Sequence, residues 1–143
     1  MANRIKVLIL KSVEGCLIPE LVGNFEDTLE NIYQALDCSC IDIQVRAVGN
    51  HRLEFVFDDE YIINGKCNKY FPTAILDDDQ AQEVIFGAVM ITGPADDEGN
   101  LTSLNDLEIE AITKSIRPFR QQLIEGGDLL NLNPIFTALS YKL

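Results

Sequence analysis

IDIQVRAVGNHRLEFVF, residues 41–57, decides the fold. Ile41, Ile43, Val45 and Ala47 alternate with Asp42, Gln44 and Arg46. That period of two puts one strand face in a core and the other toward water. Gly49-Asn50 turns the chain, and Leu53, Phe55 and Phe57 alternate again with Arg52, Glu54 and Val56. Two such runs across a short polar turn predict an antiparallel hairpin.

Upstream, Ile5, Val7 and Ile9 alternate with Lys6, Leu8 and Leu10, which predicts a strand over 4–11 with one face buried. Gly15, Pro19 and Gly23 then punctuate an irregular link. With Asn24 as N-cap, Phe25, Leu29, Ile32, Tyr33 and Leu36 form one apolar stripe, so a helix is expected over 25–36.

Downstream, Asn64-Gly65 signals a second hairpin flanked by Ile62, Ile63 and Cys67. Pro72 and Asp77-Asp78-Asp79 mark a loop, and residues 84–91, the most apolar stretch, predict a central strand. Gly87 inside it points to a bulge or a close backbone approach. Residues 93–100 read as a turn-rich acidic loop. Ser103 and Asp106 resemble a capping box, followed by a stripe of Leu104, Leu107, Ala111 and Ile112 to about Ile116. Pro118 ends or kinks this helix, and a short helical segment over 119–124 stops at Gly126-Gly127. The expected fold is α+β: a mostly antiparallel sheet with two helices packed on it, in one domain spanning 1–143. The tail from about 117 is an extension packing on that domain. Strand order stays open.

Charge narrows the function classes. The net charge is −12, and residues 56–110 alone carry thirteen acidic and two basic side chains. A field of that sign repels phosphate, which argues against nucleic acid and anionic membranes as partners. The longest uncharged apolar runs fall short of the ~20 residues a membrane span needs. Nothing at the start of the sequence reads as a secretory signal, so a cytoplasmic location is expected.

The residues that usually carry chemistry do not assemble into a known constellation. Cys16, Cys38, Cys40 and Cys67 include a C-x-C rather than a C-x-x-C, and read as free thiols in a reducing compartment. A metal clip built from these four needs irregular spacing. His51, the single histidine, falls in the predicted 50–52 turn; one histidine leaves zinc-hydrolase sets incomplete, and no local signature of nucleophilic catalysis accompanies it. Gly93-Pro94 and Gly126-Gly127 match neither phosphate-binding glycine motif. Three carboxylate clusters remain: Asp58-Asp59-Glu60, Asp77-Asp78-Asp79 and Asp96-Asp97-Glu98. Aspartate is favoured in turns for its own hydrogen bonding, but loops of this charge also steer a protein onto a basic partner surface.

One further pattern spans much of the chain. It runs from Tyr33 and Leu36 through Ile41-Asp42-Ile43, Phe57-Asp58-Asp59-Glu60, Asn64-Gly65-Lys66 and Asn68. It continues through residues 86–93, Asp97-Glu98-Gly99 and Thr102-Ser103-Leu104. Over roughly 4–116 this resembles the domain-of-unknown-function family numbered thirty-eight forty-six, common in bacteriophages and mobile elements. Ser39-Cys40-Ile41 departs from the Gly-Gly-x-Ile usual in that family. The resemblance implies a small accessory protein of a phage or plasmid; the family has no established catalytic residues to carry over.

The expected function is therefore a non-catalytic, cofactor-free binder that inhibits a host protein, such as a defence factor, through its acidic loops. The partner is expected to present a basic surface. A small-molecule binder that sequesters a nucleotide signal is the alternative, and it needs Arg46, Arg52, Arg117 or Arg120 to converge. A metal-dependent enzyme using the clustered carboxylates is the third reading.

Overall fold

The computed structural model describes residues 3–13, 16–48, 50–60, 72–77, 82–118 and 137–142. In chain order the strands are β1 (Arg4–Val13), β2 (Cys16–Glu26), β3 (Ile41–Val48), β4 (His51–Asp58) and β5 (Pro72–Asp77). β6 (Gln82–Phe86), β7 (Val89–Thr92), β8 (Ile116–Pro118) and β9 (Thr137–Lys142) follow. The helices among the described residues are α1 (Leu29–Leu36) and α2 (Asp106–Ser115). A five-stranded sheet in the order β2-β1-β7-β4-β3 is antiparallel throughout. A second sheet runs β6-β5-β9-β8, with β5 and β9 parallel. The fold is α+β, as the alternating runs predict.

The hairpin over 41–57 forms with Val48 opposite His51 and Ile41 opposite Asp58. Alternation then sorts β4 between two cores. Leu53, Phe55 and Phe57 pack with Leu8, Leu10, Val89, Ile91, Ile112 of α2 and Ile85 of the second sheet. Val56 packs the other way, with Ile5, Val7, Ile9, Met90 and the α1 residues Ile32 and Leu36. The five-stranded sheet is thus covered on both sides, and β1 buries both of its faces rather than one. Side chains as fully buried as Phe55 and Phe57 are each worth about 1.5–3 kcal/mol.

Several sequence expectations are corrected here. Residues 16–26 are not an irregular link leading into a helix; they form β2, antiparallel to β1. Pro19 is tolerated because β2 is a sheet edge. Phe25 lies opposite Ile5 while Val22 lies opposite Val7, so Gly23 and Asn24 together face Lys6. That extra residue is a bulge, and it breaks the alternation that identifies a strand. The helix consequently begins at Leu29, capped by Thr28, whose hydroxyl accepts from the Asn31 N–H at 3.2 Å; Asn24 plays no part in the cap.

The apolar stretch 84–91 is not one strand but parts of two, in different sheets. Phe86 pairs with Pro72 in the second sheet, whereas Val89 pairs with Leu10 and Phe57 in the first. Gly87 sits between them at φ 91°, a backbone conformation that favours glycine. Pro72 and Asp77 are strand residues, the ends of β5, rather than loop positions. His51 opens β4 instead of sitting in a turn.

The α2 cap also moves. Ser103 Oγ accepts from the Lys6 N–H at 3.0 Å, so it ties the loop to β1 and caps nothing. Asn105 and Glu108 form the capping box instead. The helix ends at Ser115, and Ile116–Pro118 pair with β9. The expected hairpin at 62–67 and the helical segment at 119–124 lie outside the described residues.

Candidate functional site: the acidic end of the sheet

The β4–β7 register places the carboxylate clusters. Phe57 faces Val89 and Glu54 faces Thr92, so Asp58-Asp59-Glu60 leave β4 at the end where β7 begins. Asp96-Asp97-Glu98 follow β7 at the opposite end. The sheet therefore separates two of the clusters instead of gathering them on one face. Asp77 ends β5 in the second sheet, and Asp78 and Asp79 lie outside the described residues.

At the first end the topology adds acidic groups that loop reading misses. Antiparallel pairing brings the start of β3 beside the end of β4, with Ile41 opposite Asp58 and Asp42 opposite Phe57. The Asp59 N–H donates to the Cys40 carbonyl at 3.2 Å, which ties the 38–40 segment to the turn. Asp37 closes α1 in the left-handed conformation, φ 52° and ψ 59°, so the negative end of the helix dipole points into the same region. Asp37, Asp42, Asp58, Asp59 and Glu60 thus converge on one sheet end.

They are not equivalent. Asp58 is 1% exposed and accepts from the Glu60 N–H at 2.8 Å, so it organises the turn rather than offering a free carboxylate. Asp42 accepts from the Ile43 N–H at 2.9 Å and from Gln44 Nε2 at 3.0 Å. Asp37 and Asp59 are exposed and Glu60 is half-buried. The exposed Cys40 thiol registers this field: Glu60 above all, with burial, Asp59 and Asp58, holds it protonated above the usual thiol range. A thiol in that state is a poor nucleophile and a poor metal ligand.

The opposite loop is built for its own geometry. Asp96 accepts from the Asn100 N–H at 2.8 Å and the Glu98 N–H at 2.9 Å. These bonds, Asn100 foremost, hold its carboxyl below the usual range. Asp97 and Glu98 are exposed beside it. Cys38 is half-buried and in no disulfide among the described residues, whereas Cys67 and the Cys16 side chain lie outside them. Among the described residues no group of three His, Cys, Asp or Glu is placed to hold a metal ion, and no helix is long and apolar enough to cross a membrane. Of the four arginines a nucleotide would need, Arg52 is exposed; Arg120 and the side chains of Arg46 and Arg117 are not described.

The chain is accordingly a two-sheet α+β protein with a carboxylate-rich edge. Residues 5–117 match the family described as Domain of unknown function (DUF3846), and the protein belongs to that family. Neither the curated proteins nor the solved structures contain a match.

Proposed function

We propose that the protein is a non-catalytic binder that docks its acidic sheet end, Asp37, Asp42, Asp59 and Glu60, on a basic surface of a partner protein. The observation that carries this reading is the convergence of these carboxylates with the C-terminal end of α1. A field concentrated this way raises the encounter rate with a basic surface and repels phosphate. In the same reading the partner is a host protein, such as a defence factor, inhibited in the cytoplasm by a phage or mobile-element product. The support for that context is the family resemblance. Pull-down of the tagged protein from host lysate at low and moderate salt tests it, alongside a Asp37→Asn, Asp42→Asn, Asp59→Asn, Glu60→Gln variant. A prey captured at low salt and lost by the variant is the expected result. Equal capture by both, or no prey at either salt, overturns it.

A further inference from the structure

Glu54 is the one carboxylate among the described residues that lies inside the fold with nothing to meet it. It is 8% exposed. Its neighbours along β4 sort its direction: Phe55 enters the core under α2, Val56 the core under α1, so Glu54 shares the α1 face. Across the ladder it stands between Thr92 on β7 and Val45 on β3. Thr92 Oγ1 donates to the Gly93 carbonyl at 2.9 Å and so does not serve Glu54. Arg52, two residues earlier on the same face, is exposed. Burial pushes the Glu54 carboxyl above the usual range, and among the described residues neither a hydrogen bond nor a neighbouring cation opposes it. Taking a carboxylate out of water without a partner is costly, and a cation arriving there recovers part of that cost.

The surface beside it says what kind of cation fits. Ile43, on the same face of the edge strand β3, is 42% exposed, and Ile41 and Val45 flank it half-buried. A metal ion needs further ligands, and none is assembled here among the described residues. An apolar strip next to an uncompensated negative charge suits an arginine or lysine carried on a chain with apolar neighbours.

We infer that Glu54 receives a basic side chain of a partner polypeptide laid over Ile43 and Val45. This rests on the reading of the protein as a binder, and it names the partner's chemistry: a basic residue between apolar ones. The full chain with labelled Ile and Val methyl groups is titrated with Ac-Ser-Leu-Arg-Leu-Ser-NH2, with the same peptide carrying Gln for Arg, and with ethylguanidinium. The Arg peptide is expected to shift the Ile43 and Val45 methyls. The Gln peptide and a Glu54→Gln variant each weaken that binding at least tenfold, and ethylguanidinium, lacking the apolar flanks, binds more weakly than the Arg peptide. Equal binding of the Arg and Gln peptides overturns the inference, as do shifts confined to residues 37–42 and 58–60. Methyl shifts that depend on protein concentration alone point to a second copy as occupant and also overturn it. The peptide comparison needs no variant, so it decides independently of E54Q. Peptide failure with the salt-sensitive prey still captured sinks this inference and leaves the acidic-end reading standing.

Discussion

Asn105 and Glu108 hold each other twice: the Asn105 N–H donates to Glu108 Oε1 at 2.9 Å, and the Glu108 N–H donates to Asn105 Oδ1 at 2.8 Å. The pair supplies partners for backbone donors at the start of α2 and fixes Leu104 and Ile112 against the sheet. Asn105→Ala is expected to cost about 1 kcal/mol, read as a lower urea midpoint. Glu108→Ala costs a similar amount, and the double variant loses less than the two together. Full additivity in that cycle would show the two bonds to be independent.

Gly93 is where the chain after β7 passes the chain before α2. A Cβ built there lies 2.6 Å from the Ser103 carbonyl oxygen and 2.6 Å from Thr102 Oγ1. The Gly93 N–H also donates to the Thr102 carbonyl at 2.9 Å, so the strands cannot separate without losing that bond. Gly93→Ala is expected to destabilise by about 1–3 kcal/mol through forced backbone shifts. Thermal unfolding measures it, and an unchanged midpoint contradicts the close approach.

Glu54 and Asp96 respond to pH in opposite directions. Burial raises Glu54 above its ordinary 4.5, so the folded chain holds that proton more tightly than the unfolded one. Its ionisation costs stability as pH rises from about 4.5 through the folded value. Glu54→Gln therefore stabilises at pH 7 by about 1–2 kcal/mol, a gain that fades toward pH 4. Hydrogen bonds hold Asp96 below its ordinary 3.8, so its contribution is present above that value and lost as pH falls. Asp96→Asn is expected to flatten the most acidic part of the stability profile. Denaturant midpoints across pH 3–8 check both signs.

Cys40 reacts slowly if its carboxylate neighbours keep it protonated. Thiol labelling at pH 8 is expected to speed up severalfold in Glu60→Gln, because the thiolate is the reacting species. Equal labelling rates in wild type and variant would place Glu60 too far away to matter.

How far the sequence could be read depended on whether the local pattern survives tertiary pairing. The 41–57 hairpin was legible because both strands keep strict alternation and a short turn joins them. β2 was not, because the Gly23-Asn24 bulge shifts its faces and an edge strand carries Pro19 without penalty. The run through 84–91 looked like one strand because hydrophobicity does not say which sheet a residue joins; only Gly87 marked the corner. At the acidic end, Asp58, Asp59 and Glu60 stood out as a run, whereas Asp37 and Asp42 join them only through the β3–β4 register. Glu54 read as the solvent-facing member of an alternating strand. Val56 on that face enters the core beneath α1 and Leu101, and nothing within residues 51–58 announces that the face is buried there.

The position of β9 has a consequence for how the molecule is made. It lies inside the second sheet, between β5 and β8 and parallel to the former, although it is the last described strand to leave the ribosome. During synthesis β5 and β8 wait with open edges until residues 137–142 emerge, while every strand of the five-stranded sheet has already been translated. A chain cut short before residue 137 would keep its first layer and expose two unpaired strand edges at once, the arrangement most prone to sticking to another copy.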